Sequence, residues 1–91
     1  MQSLYEVFMQ ANDIKEMIEA SLIGSKAMIE GDDGTHFQGI IISEEFAGKS
    51  MVQQHQLVYK ALGSKMGNEI HALSMQTLTP AEWEEKQNKT L

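Results

Sequence analysis

Three β-branched residues in a row, Ile40-Ile41-Ile42, leave few conformations open to the middle of this chain. Branching at Cβ restricts the χ1 angle and favours an extended strand over a helix. Neighbouring side chains of a strand point to opposite faces, so three isoleucines together indicate a strand with both faces at least partly covered. The segment from Phe37 to Ser43 is therefore predicted to be a strand.

A glycine-rich turn precedes this strand. The sequence Gly31-Asp32-Asp33-Gly34 separates it from a shorter apolar run, Ala27 to Glu30. Glycine and aspartate tolerate the backbone angles that tight turns require. Two extended runs around such a turn predict a β-hairpin.

Two helices are predicted from apolar residues that recur every three or four positions. Asn12 or Asp13 can cap the first helix, Gly24 can end it, and its apolar stripe consists of Ile14, Met17, Ile18 and Leu22. The second is predicted over residues 51–66, between a Ser50 cap and Gly67. Its stripe consists of Val52, His55, Tyr59, Leu62 and Met66, with Val58 beside it.

The last third of the chain predicts a strand that runs directly into a helix. Ile70 to Leu78 is rich in strand-forming residues, and Thr79-Pro80-Ala81-Glu82 is a capping box with proline at the first helical position. The predicted order is helix, strand, strand, helix, strand, helix. This order favours an α+β fold in which helices pack on one face of a three-stranded mixed sheet. Residues 1–11 are predicted to be a leader or a helix extension, 12–87 the domain, and 88–91 a frayed tail.

Charge and cysteine content limit the functions open to the chain. Its 91 residues carry 7 Lys and Arg against 13 Asp and Glu, a net charge of −6, which argues against phosphate-driven binding of nucleic acid. The chain has no cysteine, so it can form neither a disulfide nor a thiolate metal site by itself. The amino-terminal residues lack a signal-peptide pattern, and a cytoplasmic location is expected.

No catalytic motif is evident in the sequence. There is no cysteine nucleophile and no GxSxG pattern, and the adjacent Glu44 and Glu45 diverge too far to act as an acid–base pair. The segment EEFAGKS lacks the pattern of a phosphate-binding loop. The chain is therefore predicted not to be an enzyme.

Three histidines remain as candidates for metal chemistry, because imidazole is the commonest metal ligand in proteins. His71 lies at the mouth of the last strand, where it is either a hydrogen-bonded strand end or a ligand. His36 ends the glycine-rich turn beside Asp32 and Asp33, which either orient its ring or solvate the turn. His55 lies on the second helical stripe and is interpreted as a packed, structural residue.

Several of these motifs together resemble the BolA family, most closely its short IbaG-type bacterial branch. The resemblance spans residues 12–85 and rests on the turn before Phe37, Ser43, Phe46-x-Gly48, His55 with Tyr59, the IHAL motif at 70–73, and TPAEW at 79–83. It implies a compact α+β domain similar to class II KH domains. In that fold Gly48, Tyr59, Pro80 and Trp83, like His55, are expected to be structural.

The resemblance also implies a partner and a cofactor. BolA-like proteins associate with monothiol glutaredoxins, and the pair can share a 2Fe–2S cluster to which the glutaredoxin and glutathione supply thiolates. The family's histidine ligand falls on His71, and His36 is the candidate for a second ligand. No cofactor is expected in the isolated chain, which should be a monomer or a weak homodimer.

Two other functions stay open. The KH-like fold implies a DNA-binding regulator of stress response or morphology, for which Lys49, Lys60 and Lys65 are the candidate contacts. The chain departs from that pattern at Gln54-His55-Gln56, where basic flanks are usual, and at Gly48-Lys49-Ser50-Met51, which is not a GxxG loop. The third possibility is a stress-linked adaptor that binds protein but no metal.

Overall fold

The computed structural model describes residues 9–31, 33–67, 70 and 72–89. Its elements follow the predicted order: α1 (Ala11–Ser21), β1 (Lys26–Glu30), β2 (His36–Ile42), α2 (Met51–Leu62), β3 (Ala72–Leu78) and α3 (Pro80–Lys89). Two single-turn 3-10 helices, Glu44–Phe46 and Gly63–Lys65, flank α2.

The three strands form one mixed sheet with β2 in the centre. β1 pairs with β2 in antiparallel orientation, which makes the predicted hairpin, and β3 pairs with β2 in parallel. His36 lies opposite Ala72 at one end of the parallel pair, and Ile42 lies opposite Leu78 at the other. The α+β fold with a mixed sheet is therefore confirmed.

The core lies between one face of the sheet and the helices α1 and α2. Ile41 is fully buried on this face, whereas Ile42 is buried on the other face and Ile40 is partly exposed. Both faces of β2 are thus at least partly covered, as the isoleucine run predicted. The buried cluster comprises Ile14, Ile18, Leu22, Ala27, Phe37, Ile41, Phe46, Val58, Leu62, Ile70 and Leu73.

Helix α1 begins earlier than predicted. Its cap is Gln10, and the Asp13 carboxylate accepts a hydrogen bond of 2.9 Å from the Gln10 N–H. Asp13 therefore serves as the third residue of a capping box, which places the first turn before it, and the predicted cap at Asn12 or Asp13 is wrong. The helix ends at Ser21, and Gly24, with φ 83°, lies in the following turn.

Helix α2 ends one turn earlier than predicted. Ser50 caps it as expected, with Gln53 completing the capping box at 2.9 and 3.2 Å. The helix stops at Leu62 because Gly63 adopts φ 56° and ψ −133°, so the predicted end at Gly67 is wrong. Gly67, with φ 86°, instead follows the second 3-10 turn.

The buried face of α2 also differs from the predicted stripe. Val58 and Leu62 are buried, whereas Val52 and Tyr59 are 66% and 41% exposed. At 3.6 residues per turn, Val52 lies about 120° around the helix from Val58, so both cannot face the sheet. Packing against the sheet therefore selects the face that contains Val58.

Helix α3 begins as predicted. The Thr79 hydroxyl accepts a hydrogen bond from the Glu82 N–H at 3.2 Å, and the Glu82 carboxylate accepts one from the Thr79 N–H at 2.8 Å. The helix continues to Lys89, through two residues that the sequence assigned to a frayed tail. No described helix is both long and apolar enough to cross a membrane.

Candidate functional site

Asp33 organises the turn between β1 and β2. Its Oδ1 accepts hydrogen bonds from the N–H of Thr35 at 2.9 Å and from the N–H of His36 at 2.8 Å. A short acidic side chain that bonds to the backbone two and three residues later closes a turn in this way. These hydrogen bonds therefore fix the backbone orientation of His36, the first residue of β2.

The same aspartate holds the His36 ring. Nδ1 of His36 lies 2.8 Å from Asp33 Oδ2 and 2.9 Å from Thr35 Oγ1. Since an ionised carboxylate can only accept, Nδ1 carries the proton that it donates to Asp33. In the neutral ring the lone pair then belongs to Nε2, which is the arrangement found when a carboxylate orients a metal-binding histidine. The side chain of His36 is 65% exposed.

These hydrogen bonds also keep Asp33 ionised. Those from the backbone N–H groups of His36 and Thr35, and then the one from the His36 ring, hold the pKa of the Asp33 carboxyl far below its ordinary value. Asp33 is therefore an anion at any physiological pH, and it faces the imidazole in that form.

Gly31 allows the turn to close against β2. A Cβ at this position would lie 2.6 Å from the His36 carbonyl oxygen and 2.6 Å from Cδ1 of Phe37, and φ is 155°. Only glycine adopts this backbone angle without strain. The absence of a side chain at Gly31 thus allows its backbone to lie close to the backbone of His36.

His36 lies where the first residues of β2 and β3 meet. It is opposite Ala72, whose N–H donates a hydrogen bond of 3.2 Å to the Thr35 carbonyl oxygen. The principal predicted ligand, His71, lies outside the described residues, as does Asp32 of the turn. Within the described ranges, no three His, Cys, Asp or Glu side chains converge on a metal position.

His55 lies half-buried on α2, and among the described residues its ring has no hydrogen-bond partner. Its structural role stays a prediction. The neighbouring Gln54, which the sequence interpretation missed, makes the connections instead. Its Nε2 donates to the carbonyl oxygens of Phe46 and Lys49 at 3.1 and 3.0 Å, and its Oε1 accepts from the Thr77 hydroxyl at 2.6 Å.

The sequence carries a signal for Gln54 once the buried face of α2 is known. It precedes Val58 and Leu62 at intervals of four residues, so it lies on the same helical face as the two buried residues of α2. A polar side chain at the end of a buried stripe needs hydrogen-bond partners. Gln54 therefore connects α2 to β3 and to the turn that precedes the helix.

The three candidate lysines for DNA binding are spread along α2. Lys49 precedes the helix, and its Nζ donates a hydrogen bond of 2.8 Å to the Glu45 carbonyl oxygen. Lys60 is exposed in the last turn of α2, and Lys65 lies in the 3-10 turn that follows. The nine helical steps from Met51 to Lys60 alone rise about 14 Å along the axis, so Lys49 and Lys60 lie near opposite ends of α2.

Comparison with known proteins agrees with the fold. The family model described as "BolA-like protein" matches residues 14–82. A solved BolA homologue from Coxiella burnetii superposes with a TM-score of 0.76 at 44% identity, over 84% of this chain and 97% of that one.

Named relatives carry different descriptions. The acid stress protein IbaG of Escherichia coli is 40% identical over 82% of this chain and 89% of its own length. The DNA-binding transcriptional regulator BolA of Haemophilus influenzae is 39% identical over 63% of this chain and 54% of its own length. Human BolA-like protein 1 is 42% identical over 68% of this chain, which spans only 44% of that protein. By its family match, its fold and these relatives, the chain belongs to the BolA-like protein family.

Proposed function

We propose that the chain is a non-enzymatic partner of a monothiol glutaredoxin, and that it contributes histidine to a 2Fe–2S cluster shared with that partner in cluster trafficking or iron sensing. Membership of the BolA-like family supports the proposal. The observation that carries it is the exposed His36 ring, whose Nδ1 lies 2.8 Å from an ionised aspartate.

The chemistry suits a chain without cysteine. A thiolate from the glutaredoxin and another from glutathione would hold the cluster from one side, and imidazole would complete the iron coordination from this chain. Histidine in place of thiolate raises the reduction potential of a 2Fe–2S cluster. Because a ligating ring must be neutral, low pH would weaken the complex.

The strand register supports the use of two histidines. His36 is opposite Ala72 in the parallel pair. Because His71 directly precedes Ala72 in the sequence, we propose that both imidazoles serve the same end of this pair. His71 is the principal ligand in this proposal, and His36 is the second.

The test is a titration of cluster-loaded monothiol glutaredoxin, with glutathione present, followed by visible circular dichroism. The wild-type chain should change the spectrum of the cluster and slow its loss. His71→Ala should remove this effect, and His36→Ala should reduce it. His55→Ala is the matched control, because it removes an imidazole from α2 and should leave the spectrum unchanged.

Each outcome assigns a role. A His71→Ala variant with the wild-type spectrum and cluster lifetime would refute the ligand assignment. A stable complex with glutaredoxin that carries no iron absorbance would instead point to an adaptor. We also propose a cytoplasmic location, since the glutaredoxin and glutathione of this complex require a reducing compartment.

A DNA-binding role is the second candidate, favoured by the name of the Haemophilus influenzae relative. The net charge of −6 and the separation of Lys49 from Lys60 both weigh against strong phosphate binding. Gel shifts at about 0.15 M salt, where exposed charges are screened beyond about 8 Å, distinguish the two functions. Micromolar binding that is lost in Lys49→Glu would favour DNA.

A further inference from the structure

The two edge strands of the sheet, β1 and β3, differ in the hydrogen-bond partners of their outward-facing backbone groups. In a parallel pair the N–H and C=O groups of alternate residues point towards the neighbouring strand, and those of the residues between them point away. Ala72 donates to Thr35, and Leu78 accepts from Ser43, so these two residues point towards β2 and its flanks. The backbone groups of Leu73, Met75 and Thr77 therefore face the outer edge of β3.

The outer edge of β1 is partly closed by a side chain. The Ala27 N–H points away from β2 and donates to Glu19 Oε2 at 3.0 Å. The Lys15 ammonium also contacts this carboxylate at 2.7 and 2.8 Å. The Lys15 contact and the Ala27 amide hold the pKa of the Glu19 carboxyl below its ordinary value, so a carboxylate occupies the edge. A charged group at a strand edge discourages pairing with another chain.

The outer edge of β3 has no such protection among the described residues. No described side chain or backbone group bonds to the outward groups of Leu73, Met75 or Thr77. The strand has seven residues, ALSMQTL, compared with the five of β1, and it contains neither a charged residue nor a proline. Edge strands that stay unpaired usually carry one of these features.

We infer that β3 pairs with β3 of a second copy of this chain, in antiparallel orientation about a two-fold axis at Met75. Met75 would face Met75 of the second copy, and Leu73 would face Thr77. Each of these facing pairs would exchange two backbone hydrogen bonds. The two three-stranded sheets would then join into one sheet of six strands.

The sequence of β3 favours a second copy as the occupant of this edge. With the two-fold axis at Met75, Ser74 of one copy would face Gln76 of the other, and Ala72 would face Leu78. The first pair is polar and uncharged and the second is apolar, so the facing side chains are alike in character. Although each copy carries a net charge of −6, no like charges meet across the strand pair. The strand offers no charged group by which a different, charged strand would be selected.

One strand pair is a small interface, so the association should be weak. Stable interfaces bury about 800 Å² per partner, more than one pair of edge strands supplies, and a dissociation constant on the order of 10⁻⁴ M is expected. Salt should strengthen the association, because it screens the repulsion between two acidic copies.

Sedimentation velocity from about 20 µM to about 1 mM tests the inference, because this range brackets the expected dissociation constant. The Ser74→Lys/Gln76→Lys variant places lysines opposite each other across the axis and should weaken the dimer by about tenfold. The Ser74→Lys/Gln76→Glu variant places a lysine opposite a glutamate and should restore or strengthen it. Circular dichroism should show that both variants are folded.

Amide hydrogen exchange gives an independent measurement. The Met75 N–H should exchange more slowly at high protein concentration, while exchange at Ser74, which already points to β2, should not change. A chain that stays monomeric at 1 mM, or a dimer that responds equally to both double variants, would overturn the inference. A dimer abolished by Met28→Lys and insensitive to the β3 variants would assign the contact to the exposed face of the sheet and overturn it too.

Discussion

Asp33 and His36 form an ion-pair-like contact of 2.8 Å at the start of the central strand, and the aspartate also accepts two backbone hydrogen bonds from the residues that follow it. One carboxylate therefore shapes the turn and orients the ring that the turn presents. Because Oδ1 accepts from the backbone and Oδ2 faces the ring, a substitution at Asp33 can keep the turn and still change the chemistry of the imidazole.

The first prediction concerns the tautomer of His36. In Asp33→Asn, the amide oxygen can still accept from the backbone, while the amide NH₂ faces Nδ1 and turns that nitrogen into an acceptor. The proton then moves to Nε2. Long-range ¹⁵N–¹H spectra of the imidazole should show the Nδ1–H form in the wild type and the Nε2–H form in the variant.

This change should also weaken any metal bond at Nε2. Loss of such an orienting carboxylate typically costs 10- to 100-fold in metal affinity. A decrease of about tenfold is expected in the cluster titration described above. Glu84→Gln removes the same charge beside Thr79, beyond the end of the β2–β3 pair opposite His36, and should leave both measurements unchanged.

The second prediction concerns acid stability. The pKa of Asp33 is lower in the folded chain than in the unfolded chain, so its contribution is complete above the unfolded pKa of about 3.9 and is lost as the pH falls towards the folded value. The melting temperature of the wild type should exceed that of Asp33→Asn at pH 6. The difference should shrink below about pH 4. A difference that grows on acidification would contradict the assignment.

The third prediction tests the connection made by Gln54. Gln54→Ala leaves the Thr77 hydroxyl and two carbonyl oxygens without their partner and should lower the free energy of unfolding by about 1–3 kcal/mol in urea titrations. Gln56→Ala, an exposed change on the same helix, should have an effect within about 0.5 kcal/mol. Equal effects of the two variants would show that the hydrogen bonds of Gln54 contribute little.

The fourth prediction separates steric overlap from backbone strain. Gly24→Ala adds a methyl group in open space at φ 83°, so it should cost about 1 kcal/mol from strain alone. Gly31→Ala also forces a Cβ within 2.6 Å of backbone and ring atoms, and it should cost at least about twice as much. Chemical denaturation of the two variants measures the difference.

Local patterns in the sequence predicted the elements well. The capping boxes at Ser50 and Thr79 depend on residues three positions apart, so the sequence alone reveals them. The isoleucine run predicted the central strand because its chemistry is also local. The helical face of α2 was predicted wrongly, because several faces of this helix carry apolar residues and packing against the sheet decides between them.

The candidate site was less visible in the sequence. The pattern of the turn pointed to His36 but could not show that Asp33, rather than Asp32, holds its ring, because adjacent aspartates differ only in backbone geometry. The proposed ligand role of His71 rests on family resemblance alone. The Gln54 connection required knowledge of the helical face, which the sequence interpretation had misplaced.

The parallel pairing of β2 with β3 has a consequence for the timing of recognition. The end of the sheet that carries His36 is formed by the β1–β2 hairpin and by β3, which begins thirty-six positions after His36, at Ala72. A partner protein that contacts both β2 and β3 cannot bind until β3 has paired with β2. Capture by such a partner would thereby discriminate finished molecules from half-folded ones.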